Sequence, residues 1–370
     1  MNNSWFEIKN IADFDSPALV VFKDRVKENI RLLITMIDDV SRLRPHVKTH
    51  KSKEVAELLI EAGIGKFKCA TIAEAEMLAL AGAKDVLLAY QPVGPKLTRF
   101  ISLIKHYPNT KFSCLVDNQI SASQISASAL AAKLEISVYI DINAGMDRTG
   151  IEPGEEAVRV FKFAALEAGI KPEGLHVYDG NIHDPSLKTR EEQSNKSFEL
   201  VQKVRDCIVK EGLPKPVIIA GGTPTFPVHA KRDQVECSPG TFIYWDKGYQ
   251  DAFQEQAFLP AALIITRVIS LPGSNKICLD LGHKSIAAER NLKERVFFLN
   301  AADLTVVGQS EEHLVLESQG EHNFQVGDVL YALPYHICPT VALYEKAYIV
   351  ENHEIITEWK VIARDRAVTI

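Results

Sequence analysis

The chain has 370 residues, of which 46% are hydrophobic and 24% charged, and a formal net charge of −6. Those proportions belong to a folded globular chain of two or three domains, or one barrel with a smaller partner domain, and exclude a disordered or fibrous chain. With no basic stripe or tail, nucleic acid is not expected as a partner; with no apolar run longer than stretches such as Leu259 to Thr266, neither is a membrane.

In chain order, Ala18–Phe22 is a first β-rich run that precedes a longer regular region and is expected to pair with the β domain at the end of the chain. From Leu43 to Gly240, eight short β-rich runs then alternate with helical patterns: Arg44–Thr49, Lys66–Ala70, Asp85–Tyr90, Lys111–Asp117, Glu135–Asp141, Gly174–Asp179, Val217–Gly222 and Gln234–Ser238. Ser52–Glu61, Ile72–Ala81 and Glu155–Ala168 carry apolar residues three and four apart, the period of an amphipathic helix. Strand and helix alternating eight times predict an α/β architecture with an N-terminal (β/α)8 TIM-type barrel, a doubly wound open sheet being the alternative. The polar segment Asn181–Gln193 is either a loop over a site or a long connection. After Gly240 the texture changes to strand-like runs punctuated by Gly, Asn and Pro, as in Pro272-Gly273-Ser274-Asn275, which predicts a mostly-β C-terminal domain. The expected division is a barrel over 18–244 and a β domain formed by 1–17 and 245–370.

The six cysteines are scattered without a CxxC pair, and the N-terminus shows no charged-then-apolar signal pattern. Both point to a reduced, cytoplasmic chain in which any metal or redox role falls to single cysteines.

Barrel chemistry gathers at the C-terminal ends of strands. In the first of the eight runs, strand alternation would put His46, Lys48 and His50 on one face, unless the strand has already ended and leaves three solvated basic residues. The fifth run leads into Asn143-Ala144-Gly145-Met146-Asp147-Arg148-Thr149-Gly150, where Arg148 offers a fixed fork to an anionic oxygen or is simply a surface residue. The sixth puts His176 and Tyr178 on one face, with His183 soon after. The seventh and eighth end in Gly221-Gly222-Thr223-Pro224-Thr225 and Ser238-Pro239-Gly240-Thr241, whose backbone N–H groups and hydroxyls suit an anion. In the β domain, His336 and Cys338 lie two apart and would point the same way on an extended segment; imidazole with thiolate is a soft pair suited to Zn2+, although two ligands alone make no closed site.

Taken together, Arg44-Pro45-His46-Val47-Lys48-Thr49-His50-Lys51, Gly145–Gly150, His176–Gly180, Gly221–Thr225, Ser238–Thr241 and His336–Thr340 resemble, in order, the motifs of the D-threonine aldolase / eukaryotic-type D-serine dehydratase family, which has the alanine racemase fold type and uses pyridoxal 5'-phosphate. The resemblance covers nearly the whole chain. It implies that Lys48 holds the cofactor as a Schiff base and acts as base at Cα. It further implies that Arg148 contacts the phenolic oxygen or ring, that Tyr178 orients the cofactor, and that Gly221, Gly222, Thr223, Ser238 and Gly240 hold the phosphate. Gln91 is a softer pocket candidate, and His336 and Cys338 would hold a divalent metal facing the substrate hydroxyl. By the resemblance, aldolase-like members place Asp, and dehydratase-like members Cys, at the position of Cys338. A thiolate favours Zn2+ over Mg2+ or Mn2+.

The implied function is a metal-assisted lyase of small 3-hydroxy-D-amino acids, tilted by Cys338 toward dehydration of D-serine to pyruvate and ammonia. Retro-aldol cleavage of the D-threonine type, to glycine and an aldehyde, is the first alternative and an amino-acid racemase of the same fold the second. A non-catalytic cofactor carrier is the reading from another class, against which the β domain and its His336/Cys338 pair argue. The resemblance also implies a homodimer.

Overall fold

A computed structural model describes residues 4–370. Strand β1 (Ala18–Phe22) leads into the helix Lys23–Thr35. The strands β2 (Lys66–Cys69), β3 (Asp85–Leu88), β4 (Lys111–Val116), β5 (Ile136–Asn143), β6 (Ile170–Tyr178), β7 (Val217–Ala220) and β8 (Val235–Cys237) then pair in chain order, all parallel, in one seven-stranded sheet.

The eighth member of the ring is the extended segment 43–46. Leu43 bridges Cys237 of β8 and His46 bridges Lys68 of β2. Arg44 N donates to Cys237 O at 2.8 Å, and Lys68 N donates to Pro45 O at 2.9 Å. This segment makes isolated bridges rather than a ladder because Pro45 has no N–H to donate. The (β/α)8 expectation holds, with its first strand reduced to a clasp.

The expected strand Arg44–Thr49 stops there. Val47–Thr49 turns into a 3-10 helix, so His46, Lys48 and His50 do not share a strand face. Beneath the clasp the Arg44 guanidinium, 1% exposed, pairs with Glu236 of β8 at 2.7 Å and Asp85 of β3 at 2.6 Å. One cation thus joins three staves of the barrel. Further up, Leu87, Leu115, Tyr139 and Ile219 from four strands form a buried layer.

The helices follow from the apolar period. Lys53–Glu61 buries Val55, Ala56 and Leu59. Ile72–Leu80 is started by Thr71, whose hydroxyl accepts from Glu74 N at 3.1 Å, while Glu74 Oε2 reaches back to Ala70 N at 2.6 Å. Such reciprocal capping stabilises a helix start by about 1 kcal/mol. The segment Asn181–Gln193 is largely the start of a long helix, Leu187–Lys210, with Ser186 as its cap.

The other sheet has nine strands. The strands β9 (Ala262–Gly273), β10 (Lys276–Leu279), β11 (Val296–Phe298), β12 (Thr305–Gln309), β13 (Leu314–Glu317), β14 (Val329–Pro334), β15 (Lys346–Glu351) and β16 (Glu354–Lys360) assemble with β1 in the order β12-β13-β10-β9-β1-β15-β16, with β14 between β9 and β11. Strand β1 runs parallel to β15 and antiparallel to β9. Its Ala18, Val20 and Phe22 join Leu263, Ile265, Tyr331 and Val350 in one core.

The chain therefore divides differently from 18–244 against 1–17 with 245–370. One unit takes the chain up to Leu32, Thr49–Ser52 and Thr241–Arg364; the other takes Leu33–Lys48, Lys53–Gly240 and Asp365–Ile370. At the N-terminal side the expected pairing of the first run with the β domain holds, and it is what moves the boundary: β1 finds its hydrogen-bond partners in β9 and β15. Among the described residues no helix is long and apolar enough to cross a membrane.

Candidate active site

At the C-terminal ends of the barrel strands lies a cavity of about 420 Å³ whose lining includes Lys48, Lys68, Gln91, Arg148, His176 and Tyr178. A larger depression, about 730 Å³, lies where β7 and β8 begin, beside the helix Leu187–Lys210. We take the smaller cavity as the site, because parallel barrels carry their chemistry where strands end.

Tyr178 closes β6, and three cations stand near its ring. Arg148 lies 5.2 Å from the ring centroid, Lys68 5.6 Å and Lys48 5.9 Å. The ring has this place because Gly180 follows it: a Cβ there would come within 2.4 Å of Tyr178 Cζ. On its other side the ring abuts Gly222, where a Cβ would lie 3.2 Å from Cε2. The aromatic wall thus connects the amines to the glycine loop.

That loop is fixed from beneath. Gly221 adopts φ +76°, and a Cβ there would meet His229 Cδ2 at 2.6 Å, so the position requires glycine. Gly222 N donates to Thr225 Oγ1 at 3.3 Å, Thr225 Oγ1 donates to Asp179 Oδ1 at 2.8 Å, and Asp179 Oδ2 meets His229 Nε2 at 2.8 Å. Burial opposes charge on Asp179, yet His229 and Thr225 hold its pKa below the ordinary value. The second loop is tied to the first by Gly240 N donating to Thr223 Oγ1 at 3.0 Å. Beside them the Ser238 hydroxyl is buried, with no hydrogen-bond partner among the described residues. A buried hydroxyl in that state calls for an acceptor from outside the chain. An orphaned hydroxyl beside a glycine cradle fits the phosphate end of the expected cofactor.

Behind the cavity, Gln91 Nε2 donates to Asp117 Oδ2 and to Asp141 Oδ2, each at 3.0 Å. Asp141 Oδ1 accepts from His176 Nδ1 at 2.7 Å, which leaves His176 Nε2 as an acceptor, buried and without a partner among the described residues. Burial drives the His176 pKa down, with Lys68 and Arg148 adding to it against the pull of Asp141.

Of the residues expected from sequence, Lys48, Gln91, Arg148 and Tyr178 line one cavity, while Gly221, Gly222, Thr223, Ser238 and Gly240 meet in one loop pair. Lys68 and Asp141 were not anticipated as site residues. The available signal was position: each is a charged residue near the end of a buried parallel strand. Lys68 is 2% exposed and its pKa falls to about 7, first through burial and then through Lys48.

The other unit carries His336 and Cys338. The segment is not extended as expected; His336 caps a short helix, Ile337–Val341, that contains Cys338. The two still interact. Burial lowers the His336 pKa, but Cys338 and then Glu289 outweigh it and hold the group up at about 9. Glu289 Oε1 meets His336 Nδ1 at 2.5 Å, and Cys338 Sγ meets Thr49 Oγ1 at 3.1 Å. Among the described residues no group of three or more His, Cys, Asp or Glu side chains is arranged to hold a metal. The pair therefore suits an open two-donor site, with Glu289 orienting the imidazole as metal-site carboxylates do, and does not suit a closed structural one.

Comparisons with known proteins agree with this architecture. Residues 21–247 match the alanine racemase N-terminal domain, and residues 261–350 a putative serine dehydratase domain. The chain is 26% identical to a D-threonine aldolase of an Arthrobacter species over 361 residues, covering 96% of this chain and 94% of that one. It is 25% identical to a D-threo-3-hydroxyaspartate dehydratase of a Delftia species, covering 89% and 92%. Among solved structures, a D-threonine aldolase from Filomicrobium marinum superposes with a TM-score of 0.88 at 24% identity, over 96% of each chain.

Proposed function

The chain belongs to the family of the alanine racemase N-terminal domain, and from that premise we propose a pyridoxal-phosphate-dependent, metal-assisted lyase of small 3-hydroxy-D-amino acids, tilted toward dehydration. The observation that carries this reading is the sequence of groups along Tyr178: a lysine amine, an aromatic wall and a glycine loop beside an unsatisfied buried hydroxyl. An aldehyde cofactor with a flat ring and a phosphate tail needs those groups in that order.

In this reading Lys48 would hold the cofactor through its amine, and Gly221, Gly222, Thr223, Ser238 and Gly240 would hold the phosphate. Arg148 and Tyr178 would orient the ring. When bound, the cofactor would supply an electron sink for the bonds at Cα. In dehydration the Lys48 amine would take the Cα proton. Asp141 keeps His176 as its Nδ1–H tautomer and holds Gln91, so two cavity side chains keep one orientation. His336 and Cys338 would take a divalent ion, Zn2+ by ligand softness, which would supply Lewis acidity toward the β-hydroxyl.

Retro-aldol cleavage is the second reading, favoured by the aldolase named above, which matches 96% of this chain. Product analysis separates the two. Dehydration turns D-serine into pyruvate and ammonia and 3-hydroxy-D-aspartate into oxaloacetate and ammonia. Cleavage turns D-threonine into glycine and acetaldehyde and 3-hydroxy-D-aspartate into glycine and glyoxylate. With cofactor bound and neither set of products formed, the lyase reading fails, and inversion of alanine with loss of its α-deuterium would point to a racemase. A homodimer is part of the proposal, and light scattering at working concentration tests it.

A further inference from the structure

Arg232 lies three residues after His229, the last residue of the short helix Phe226–His229. It lines the depression where β7 and β8 begin, not the catalytic cavity. Its side chain is half-buried. Burial lowers its pKa, and among the described residues no carboxylate pairs with it directly. A cation so placed is costly unless its donors are used. Its partners are neutral: it donates to Ser194 Oγ at 3.2 Å, to Asn195 Oδ1 at 2.7 Å and to His229 Nδ1 at 2.5 Å, and its Cζ lies 4.2 Å from the ring centroid of Phe198.

A guanidinium only donates. His229 Nδ1 is therefore the acceptor, and the ring proton sits on Nε2, which donates to Asp179 Oδ2 at 2.8 Å. Both ring nitrogens are pinned, so the ring cannot turn. Its Cδ2 edge lies where a Cβ on Gly221 would come within 2.6 Å. Asp179, held on one oxygen by His229, accepts from Thr225 Oγ1 on the other at 2.8 Å, and Thr225 Oγ1 accepts from Gly222 N at 3.3 Å. The backbone of the turn is held separately, by Arg42 donating to His229 O at 3.3 Å and to Ala230 O at 3.2 Å. The Arg232 side chain thus acts on the imidazole rather than on the turn.

We propose that Arg232 is a positioning residue for the phosphate cradle: by donating to His229 Nδ1 it fixes the ring on which Asp179, Thr225 and the Gly221–Gly222 loop are built. This deepens the lyase reading and rests on it.

The test compares loading of the apoprotein with pyridoxal phosphate and with pyridoxal, each followed by visible absorbance. Pyridoxal has the ring and aldehyde but no phosphate, so it reads Lys48 without the cradle. Arg232→Met keeps an unbranched stem against Phe198 but donates nothing. In it the dissociation constant for pyridoxal phosphate should rise about tenfold, and that for pyridoxal by less than about twofold. Inorganic phosphate, as a competitor of loading, should also weaken about tenfold. Arg232→Lys, which likewise only donates, should recover affinity to within about threefold of wild type. Nitrogen-15 NMR of histidine-labelled wild type needs no folded Arg232 variant. His229, its signals assigned by their loss in His229→Gln, should show a protonated Nε2 and a bare, hydrogen-bonded Nδ1. A proton on Nδ1 in the wild type would overturn the assignment. So would equal losses for pyridoxal phosphate and pyridoxal in Arg232→Met, or no loss for either, or a recovered Nδ1 signal in Arg232→Lys without recovered affinity. A wild type that gains no visible absorbance with pyridoxal phosphate would overturn the lyase reading, and the assignment with it.

Discussion

His176 Nδ1 and Asp141 Oδ1 lie 2.7 Å apart, in side chains that are each about 5% exposed. The pair spans β5 and β6 and fixes which imidazole nitrogen keeps a free lone pair. Burial raises the proton affinity of Asp141, but hydrogen bonds from His176, Thr149 and Gln91 reverse that and keep its pKa below the ordinary value. Asp141→Ala would leave His176 and Gln91 without this acceptor. The expected result is a loss of about 1–3 kcal/mol in unfolding free energy and of about 10²-fold in kcat/KM. Denaturant titration and steady-state kinetics check the two numbers separately.

Gly221→Ala should damage the cofactor cradle. The added Cβ meets His229 Cδ2 at 2.6 Å and the backbone sits at φ +76°. Such a position carries about 1–3 kcal/mol of strain for a side-chain-bearing residue. Cofactor affinity, followed by visible absorbance on dialysis, should weaken by about tenfold or more, and the thermal midpoint of the apoprotein should drop. Unchanged cofactor retention would detach this loop from the phosphate.

Chelation should abolish turnover while the cofactor's visible absorbance survives, since the proposed metal ligands His336 and Cys338 are separate residues from those proposed to hold the cofactor. Lys48→Ala should show the reverse spectroscopic result, losing that absorbance. Turnover that persists after metal analysis shows an empty protein would remove any metal role from His336 and Cys338.

His50 provides the pH prediction. Its Nε2 is buried with no hydrogen-bond partner among the described residues, and burial pulls its pKa down to about 3. In the unfolded chain the group titrates near 6.5. Between these values the unfolded state holds one more proton than the native state, so stability falls as pH falls through this window. The contribution is of the order of 1 kcal/mol per pH unit. Asp246, pushed up to about 6 by burial, works in the opposite sense, because its native state holds the extra proton between 3.8 and 6. The clean measurement is therefore a difference: the unfolding free energy of wild type minus that of His50→Gln should decline on going from pH 7 to pH 4. A flat difference would show that His50 is protonated in the native state.

Much of this molecule could be read before any coordinates. Strands such as Asp85–Leu88 and Val217–Ala220, and helices such as Lys53–Glu61, follow from local apolar period and nearly match their expected bounds. Glycines at 221 and 222 and the Lys48 and His336/Cys338 motifs are likewise visible as strings, because chemistry that needs a fixed spacing along the chain leaves a mark in it.

The rest depends on partners distant in sequence. Whether β1 opens a barrel or joins β9 and β15 is a question of which backbone groups it meets. Arg44–Thr49 reads as one strand, but Pro45 interrupts its ladder and the segment turns at Val47. Lys68, in Lys66-Phe67-Lys68-Cys69, carries no motif at all; its meaning comes from Tyr178, 110 positions later, and from carboxylates already bound to other residues. Local periodicity and motif spacing were thus set by the order of residues alone. Which charges are left unpaired in the barrel mouth was decided only by folding, because charge balance in a cavity is a sum over all the strands that line it.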